Sequence, residues 1–120
     1  MGLDMYAMTT TEVLEKEVDF KVDDTGELHY WRKHPNLHGW MERLYYDKGG
    51  TEDFNCVPVV LNVADLDQLE VDIQGGDLPD TSGFFFGESE GNENEDDLEF
   101  IAKARRAIAD GQTVFYDSWW

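Results

Sequence analysis

The chain has 120 residues, with 27 Asp and Glu against 9 Lys and Arg, a formal charge of −18. A surplus of that size excludes bare nucleic acid and anionic membranes as direct partners, because both are held by clustered Lys and Arg. Hydrophobic residues make up 41% and aromatic residues 13%, too much apolar matter for a disordered acidic tail, so the charge is expected on a folded exterior.

A single domain over residues 1–120 is expected, of a size that buries roughly two-thirds of the surface its unfolded chain exposes. No run approaches the roughly 18 uncharged apolar residues that a membrane span needs. Met1 to Met8 lacks the basic region and long apolar stretch of a signal peptide. Cys56 is alone, so no internal disulfide is expected, in keeping with a reducing compartment. The simplest class is a cytoplasmic monomer or homo-oligomer. Its compatible neighbours are basic protein surfaces, metal cations and salt-rich solvent; with 5 lysines in the chain, adaptation to high salt explains the composition equally well.

In chain order, Gly2 to Met8 reads as a first strand, with Leu3, Met5 and Ala7 on one side and Asp4, Tyr6 and Met8 on the other. Val18, Phe20 and Val22 alternate with Asp19 and Lys21 in the period of a half-buried strand. Asp23-Asp24-Thr25-Gly26 is a turn signal, after which Leu28 and Tyr30 alternate with Glu27 and His29. The segment reads as a hairpin, or else as an excursion lying on the surface. Pro35 to Lys48 is the clearest helix: proline suits the first helical position, and Leu37, Trp40, Met41, Leu44 and Tyr45 make one apolar face. Gly49-Gly50 ends it.

Val57 to Leu61 is strand-like, and Pro58 assigns it to an edge or a strand start. Asn62 can cap a helix whose inward face is Leu66, Leu69 and Ile73, stopped by Gly75-Gly76. Gly83 to Gly87 reads as a short buried strand and Glu88 to Glu95 as an acidic loop. A last helix runs from near Glu95, capped by Asn94, to about Ala109, with acids in its first turn and Lys103, Arg105 and Arg106 toward its end, as the helix dipole favours. Thr113 to Tyr116 is a final strand. Together these predict an α+β fold, a small and mostly antiparallel sheet packed with about three helices, the first and last strands neighbours in one sheet.

Candidate chemistry is sparse. His34 and His38 stand four apart, a spacing that suits two imidazoles on one zinc, with a third ligand from His29, Cys56 or a carboxylate. The structural reading places His34 as a helix-start cap and His38 on the rim of the core. Glu88, Glu90, Asn92, Asn94, Asp96 and Glu99 occupy the ligand positions of a calcium-loop register. Glu stands where Asp is usual, however, the turn glycine is displaced to Gly91, and a solvated loop feeding a helix accounts for the same acids. Ser82, Ser89 and Ser118 lack a nucleophile-elbow context, and no phosphate-binding glycine motif occurs. Cys56 reads as a buried small hydrophobe rather than a reactive thiol. The aromatic excess, including Trp31, Trp40, Trp119, Trp120, Tyr30 and Tyr46, is mostly core. The remainder suits an aromatic patch within an acidic surface, fit for an Arg-rich partner.

Four segments together, Met1-Gly2-Leu3-Asp4-Met5-Tyr6, Leu28-His29-Tyr30-Trp31-Arg32-Lys33-His34, Leu78-Pro79-Asp80-Thr81-Ser82-Gly83-Phe84-Phe85-Phe86-Gly87 and Tyr116-Asp117-Ser118-Trp119-Trp120, resemble a family of small uncharacterised proteins of tailed phages, including those of marine cyanobacteria, and of some bacteria. The resemblance spans nearly the whole chain and implies a phage-encoded accessory protein in the host cytoplasm. It implies no established activity and carries over no catalytic residue. The extra acid between Glu88 and Asp97 sets this chain apart and bears on any ligand shared near that loop.

The expectation is therefore a non-enzymatic interaction protein that binds a basic surface of a host or phage protein. Mimicry of DNA charge is one version, with carboxylates occupying Lys and Arg sites that evolved for phosphates. No cofactor is expected. The reading from another class is a small metal- or ligand-binding domain, or an enzyme, using Trp31, Arg32, His34 and His38 with Ser82 and Trp119. Arg32 would there be either structurally paired or poised for an anionic ligand.

Overall fold

A computed structural model of the chain describes residues 3–32, 34–79 and 94–119. The architecture is α+β: strands β1 (Asp4–Thr10) and β2 (Gly26–Arg32), helix α1 (Pro35–Asp47), strand β3 (Val59–Leu61), helices α2 (Val63–Gln74) and α3 (Asn94–Ala109), and strand β4 (Thr113–Trp119). The four strands form one sheet in the order β2-β1-β4-β3, antiparallel at every step. The first and last strands are thus its two interior strands.

The alternation of β1 decides what the sheet packs against. Leu3, Met5 and Ala7 are fully buried and face the helices, in register with Trp31 and His29 of β2 and with Ser118 and Tyr116 of β4. Asp4, Tyr6 and Met8 point the other way, opposite Trp119, Asp117 and Phe115. One contiguous core joins the inward residues of the sheet to Leu37, Met41 and Tyr45 of α1, Leu66, Leu69 and Ile73 of α2, and Phe100, Ile101 and Ala104 of α3. Each such fully buried large side chain stabilises the fold by about 1.5–3 kcal/mol. All three helices therefore serve one face of the sheet.

The helix ends follow local chemistry. Pro35 occupies the start of α1. A reciprocal capping box opens α2: Asn62 Oδ1 accepts the Asp65 N–H at 2.9 Å, and Asp65 Oδ2 accepts the Asn62 N–H at 3.0 Å. Gly111 follows α3 at φ +88°, a conformation that glycine adopts without strain. Two cations fasten these elements to their neighbours. Lys48, just past α1, donates to the Val60 carbonyl and to Asp65 and pairs with Glu17 at 2.7 Å. Arg105 of α3 reaches Asp67 and Glu70 of α2 at 2.7 and 3.0 Å.

The hairpin expected around Asp23 to Gly26 does not form: β2 pairs with β1, not with residues 18–22. That segment runs beside β3 instead. Val18 bridges to Val59, the Val60 N–H donates to the Glu17 carbonyl at 2.8 Å, and the Asp19 N–H donates to the Pro58 carbonyl at 3.3 Å. It then arches over the uncovered face of the sheet. Phe20 meets Phe115 edge-on with centroids 5.2 Å apart, so its alternation is satisfied by ring packing, not by a ladder. Glu12 Oε2 accepts the N–H groups of Asp23 and Asp24, both at 2.8 Å, and Tyr45 donates to Asp19 at 2.6 Å. Val57 does not extend β3, which begins at Val59 after Pro58, and β4 runs on to Trp119 rather than stopping at Tyr116. The strand expected at Gly83 to Gly87 and the acidic loop up to residue 93 lie outside the described residues.

Gly50 shows how tightly one tether is seated. A Cβ there would lie 2.3 Å from ring carbons of Tyr45, and that ring carries the hydroxyl bonded to Asp19. Gly50→Ala is expected to cost about 1–3 kcal/mol, read as a lower urea midpoint with an unchanged slope.

Candidate functional site

The histidine-rich stretch identified in the sequence divides between two places. β2 turns His29 and Trp31 inward, onto the N-terminal end of α3. There Asp97, in the first turn of α3 and with no exposed surface, accepts the Trp31 Nε1–H at 3.0 Å and the His34 Nε2–H at 2.9 Å. Beside it His29 Nε2 donates to Asp96 at 3.0 Å, while its Nδ1 accepts from Lys103 at 3.2 Å, which uses the Nε2–H tautomer. His29, Trp31 and Phe100 pack as a ring cluster with centroids 4.6–5.8 Å apart. His34 stands at the N-cap position of α1 without a side-chain capping bond; its ring reaches Asp97 instead. A buried carboxylate held by two N–H donors is a structural joint between β2, α1 and α3.

His38 goes elsewhere. One turn into α1 it is fully buried, its Nδ1 shares a hydrogen bond of 2.7 Å with the Tyr116 hydroxyl, and it packs against Phe54 at 4.9 Å. Burial lowers its pKa to about 4, and burial likewise holds the Tyr116 phenol well above its ordinary range. The pair is a neutral core contact between α1 and the centre of the sheet. The structure thus brings Trp31 and His34 together on Asp97 and separates both from His38. Arg32 is on the outward face, 3.9 Å from Asp4, and Trp119 is 65% exposed. Of the proposed calcium-loop ligands, Asp96 is engaged by His29 and Glu99 is exposed on α3. Ser82, Glu88 and Glu90 lie outside the described residues. Among the described residues no group of three or more His, Cys, Asp or Glu side chains is arranged to hold a metal ion.

The other place where chemistry gathers is the open face of the sheet. Its floor is Tyr6 and Met8 of β1, Glu27 of β2, and Phe115 and Asp117 of β4. The arch supplies one wall through Phe20 and Val22, and Cys56 and Pro58 the other, enclosing about 580 Å³. Cys56 is exposed, not the buried hydrophobe expected, because it sits at φ +60° with its N–H donating to the Ser118 carbonyl at 2.8 Å. Partial desolvation, and then the neighbouring Asp117 carboxylate, raise its thiol pKa. Beyond the cleft the same face carries Tyr30, 44% exposed, stacked at a tilt on Tyr6 at 5.2 Å and donating to Asp4 at 2.7 Å. Carboxylates are present on every helix and in the connecting segments, as well as on this face.

Sequence reasoning found Trp31 and His34 but not their partner. Asp97 stands on the apolar face of α3 in the series Asp97, Phe100, Ile101, Ala104, and that spacing was the available signal. No family model, no curated protein and no solved structure matches the chain.

Two measurements follow. Asp97→Asn turns an amide N–H₂ toward donors that need an acceptor, and is expected to cost about 3 kcal/mol, with a change in Trp31 near-ultraviolet dichroism. His38 is lowered from the ordinary 6.5 to about 4 in the fold, so the unfolded chain binds more protons between those values and stability rises with pH there. The His38 contribution is complete above about pH 6.5 and falls by on the order of 3 kcal/mol as pH drops to about 4. His38→Asn, which keeps a polar group for Tyr116, is expected to show a correspondingly flatter denaturation midpoint across that range.

Proposed function

We propose that the protein is a non-enzymatic interaction module that binds a basic surface of another protein, using the open face of its sheet. The observation that carries this reading is the one-sided architecture. Three helices cover one face, while the other presents Tyr30 and Trp119, both exposed, beside the carboxylates of Asp4, Glu27 and Asp117. Aromatic rings amid acids complement Arg-rich protein surfaces, since rings supply contact area at low entropy cost and stack guanidinium groups.

The net charge of −18 acts at longer range. Nine cations cannot neutralise 27 carboxylates, so the exterior attracts cationic partners from solution and raises their encounter rate. Because the acids are spread over the molecule, the field gives attraction without orientation; orientation falls to the aromatic face. The resemblance to phage proteins suits a partner in a bacterial host, and DNA-charge mimicry is the version in which that partner's site normally receives phosphates.

A salt-titrated pull-down tests the reading. The expected result is a basic protein captured at low salt, lost steeply toward moderate salt, and reduced by the combined change Tyr30→Ser and Trp119→Ser with the melting temperature held. No retained partner at low salt, or capture indifferent to those two residues, would leave solubility in salt as the role of the acid.

A further inference from the structure

The cleft beneath the arch is the recess of the open face. It sets three aromatic rings, Tyr6, Phe20 and Phe115, beside three carboxylates, Asp23, Glu27 and Asp117. Among the described residues none of the three carboxylates enters an ion pair. Elsewhere the acids nearest a cation are taken up: Glu17 and Asp65 by Lys48, Asp67 and Glu70 by Arg105. Lys21 also lines the cleft and, among the described residues, lies in no ion pair with its three carboxylates. Asp117 Oδ1 accepts the adjacent Ser118 N–H at 2.8 Å, and half-burial pushes its carboxyl pKa upward. A poorly hydrated carboxylate without a counter-charge gains more from an incoming cation than a hydrated one does.

The arrangement also selects among cations. An ammonium would meet the charge and can sit over a ring face, but as a compact point charge it neither stacks flat on a ring nor offers a planar fork of donors. A guanidinium is planar, stacks on an aromatic face, and presents a fork of N–H donors to carboxylate oxygens. The volume, about 580 Å³, lies within the span of small-ligand sites. The arch is tied down by Glu12 and by the Tyr45–Asp19 bond, so the walls are in place before anything binds and little ordering is needed on binding.

We propose that this cleft receives the side chain of an arginine, its guanidinium against the aromatic wall with Asp117 and Glu27 as acceptors. The inference deepens the reading of a basic protein partner and rests on it, naming the residue by which that partner is anchored.

The test is a nuclear magnetic resonance titration of the full chain with N-acetyl-arginine amide, and in parallel with N-acetyl-lysine amide. Saturable shifts are expected at the amides of Tyr6, Phe20, Phe115 and Asp117, with the lysine compound weaker. Asp117→Asn and Glu27→Gln are each expected to weaken arginine-amide binding about ten-fold, the effect of losing one charge-assisted hydrogen bond. Glu27 is exposed, so its variant reads binding without disturbing the core if the Asp117 change alters folding. Shifts scattered over the acids of α2 and α3, equal for both compounds, would overturn the inference, as would Glu27→Gln binding like the parent chain. Capture of a basic protein that persists while arginine amide leaves the cleft unperturbed would sink the arginine site alone. Arginine-amide binding in the cleft supports it even where the Tyr30 and Trp119 changes leave capture unaltered.

Discussion

The alternation of side chains along β1 is the constraint on which the other elements depend. Leu3, Met5 and Ala7 lie under the helices with no exposed surface, and β1 is bonded on both sides, to β2 and β4. A slip of one residue would carry Asp4 and Tyr6 into the core and put three apolar residues in water. With the register fixed, Trp31 and His29 of β2 and Tyr116 of β4 must also face inward, which is what brings them to Asp97 and His38. The same rule sends Tyr6, Tyr30, Phe115, Asp117 and Trp119 outward. The division between a helix-covered face and an open face is thus set by β1.

Lys48 and Arg105 are placed at junctions between elements. Lys48 gathers the end of α1, β3, the start of α2 and the segment around Glu17, and Arg105 ties α3 to α2. Among the described residues, Asp97 is the exception to the acids' exterior habit. It is buried, and its charge is met by N–H donors of Trp31 and His34 rather than by Lys or Arg. Removing such an acceptor strands two donors in a dry place, which is why a single carboxylate can matter more than several at the surface.

Much of this was legible in the residues. Helical periodicity and glycine stops gave α1 and α2 nearly to their ends, Asn62 announced its capping box, and Pro58 marked an edge strand. What periodicity does not specify is the partner. Val18, Phe20 and Val22 alternate as a strand would, yet the alternation is consumed by one bridge to Val59 and by a ring contact with Phe115. β4 continued past Tyr116 because Ser118 fits an inward position opposite Met5, a small polar residue that pattern reading treats as a terminus. The site was visible only by halves. The Trp31–His34 stretch drew attention by composition, whereas Asp97 is one acid among three in the first turn of α3 and is singled out only by the apolar residues that follow it at helical spacing. The cleft was not readable at all, because its walls come from β1, β2, β4, the arch and the Cys56–Pro58 bend, which only the tertiary fold assembles.

The pairing of β1 with β4 also governs how the polypeptide reaches its native state. Those strands come from opposite ends of the described chain, so the middle of the sheet is made by contacts of very large sequence separation, the kind that slow folding because a long loop must close first. β2 can dock on β1 early, but β1 has no partner along its other edge until Thr113–Trp119 is available. Until β4 docks, one edge of β1 stays open to wrong pairings, and the like charge of other copies of the chain opposes their approach to it.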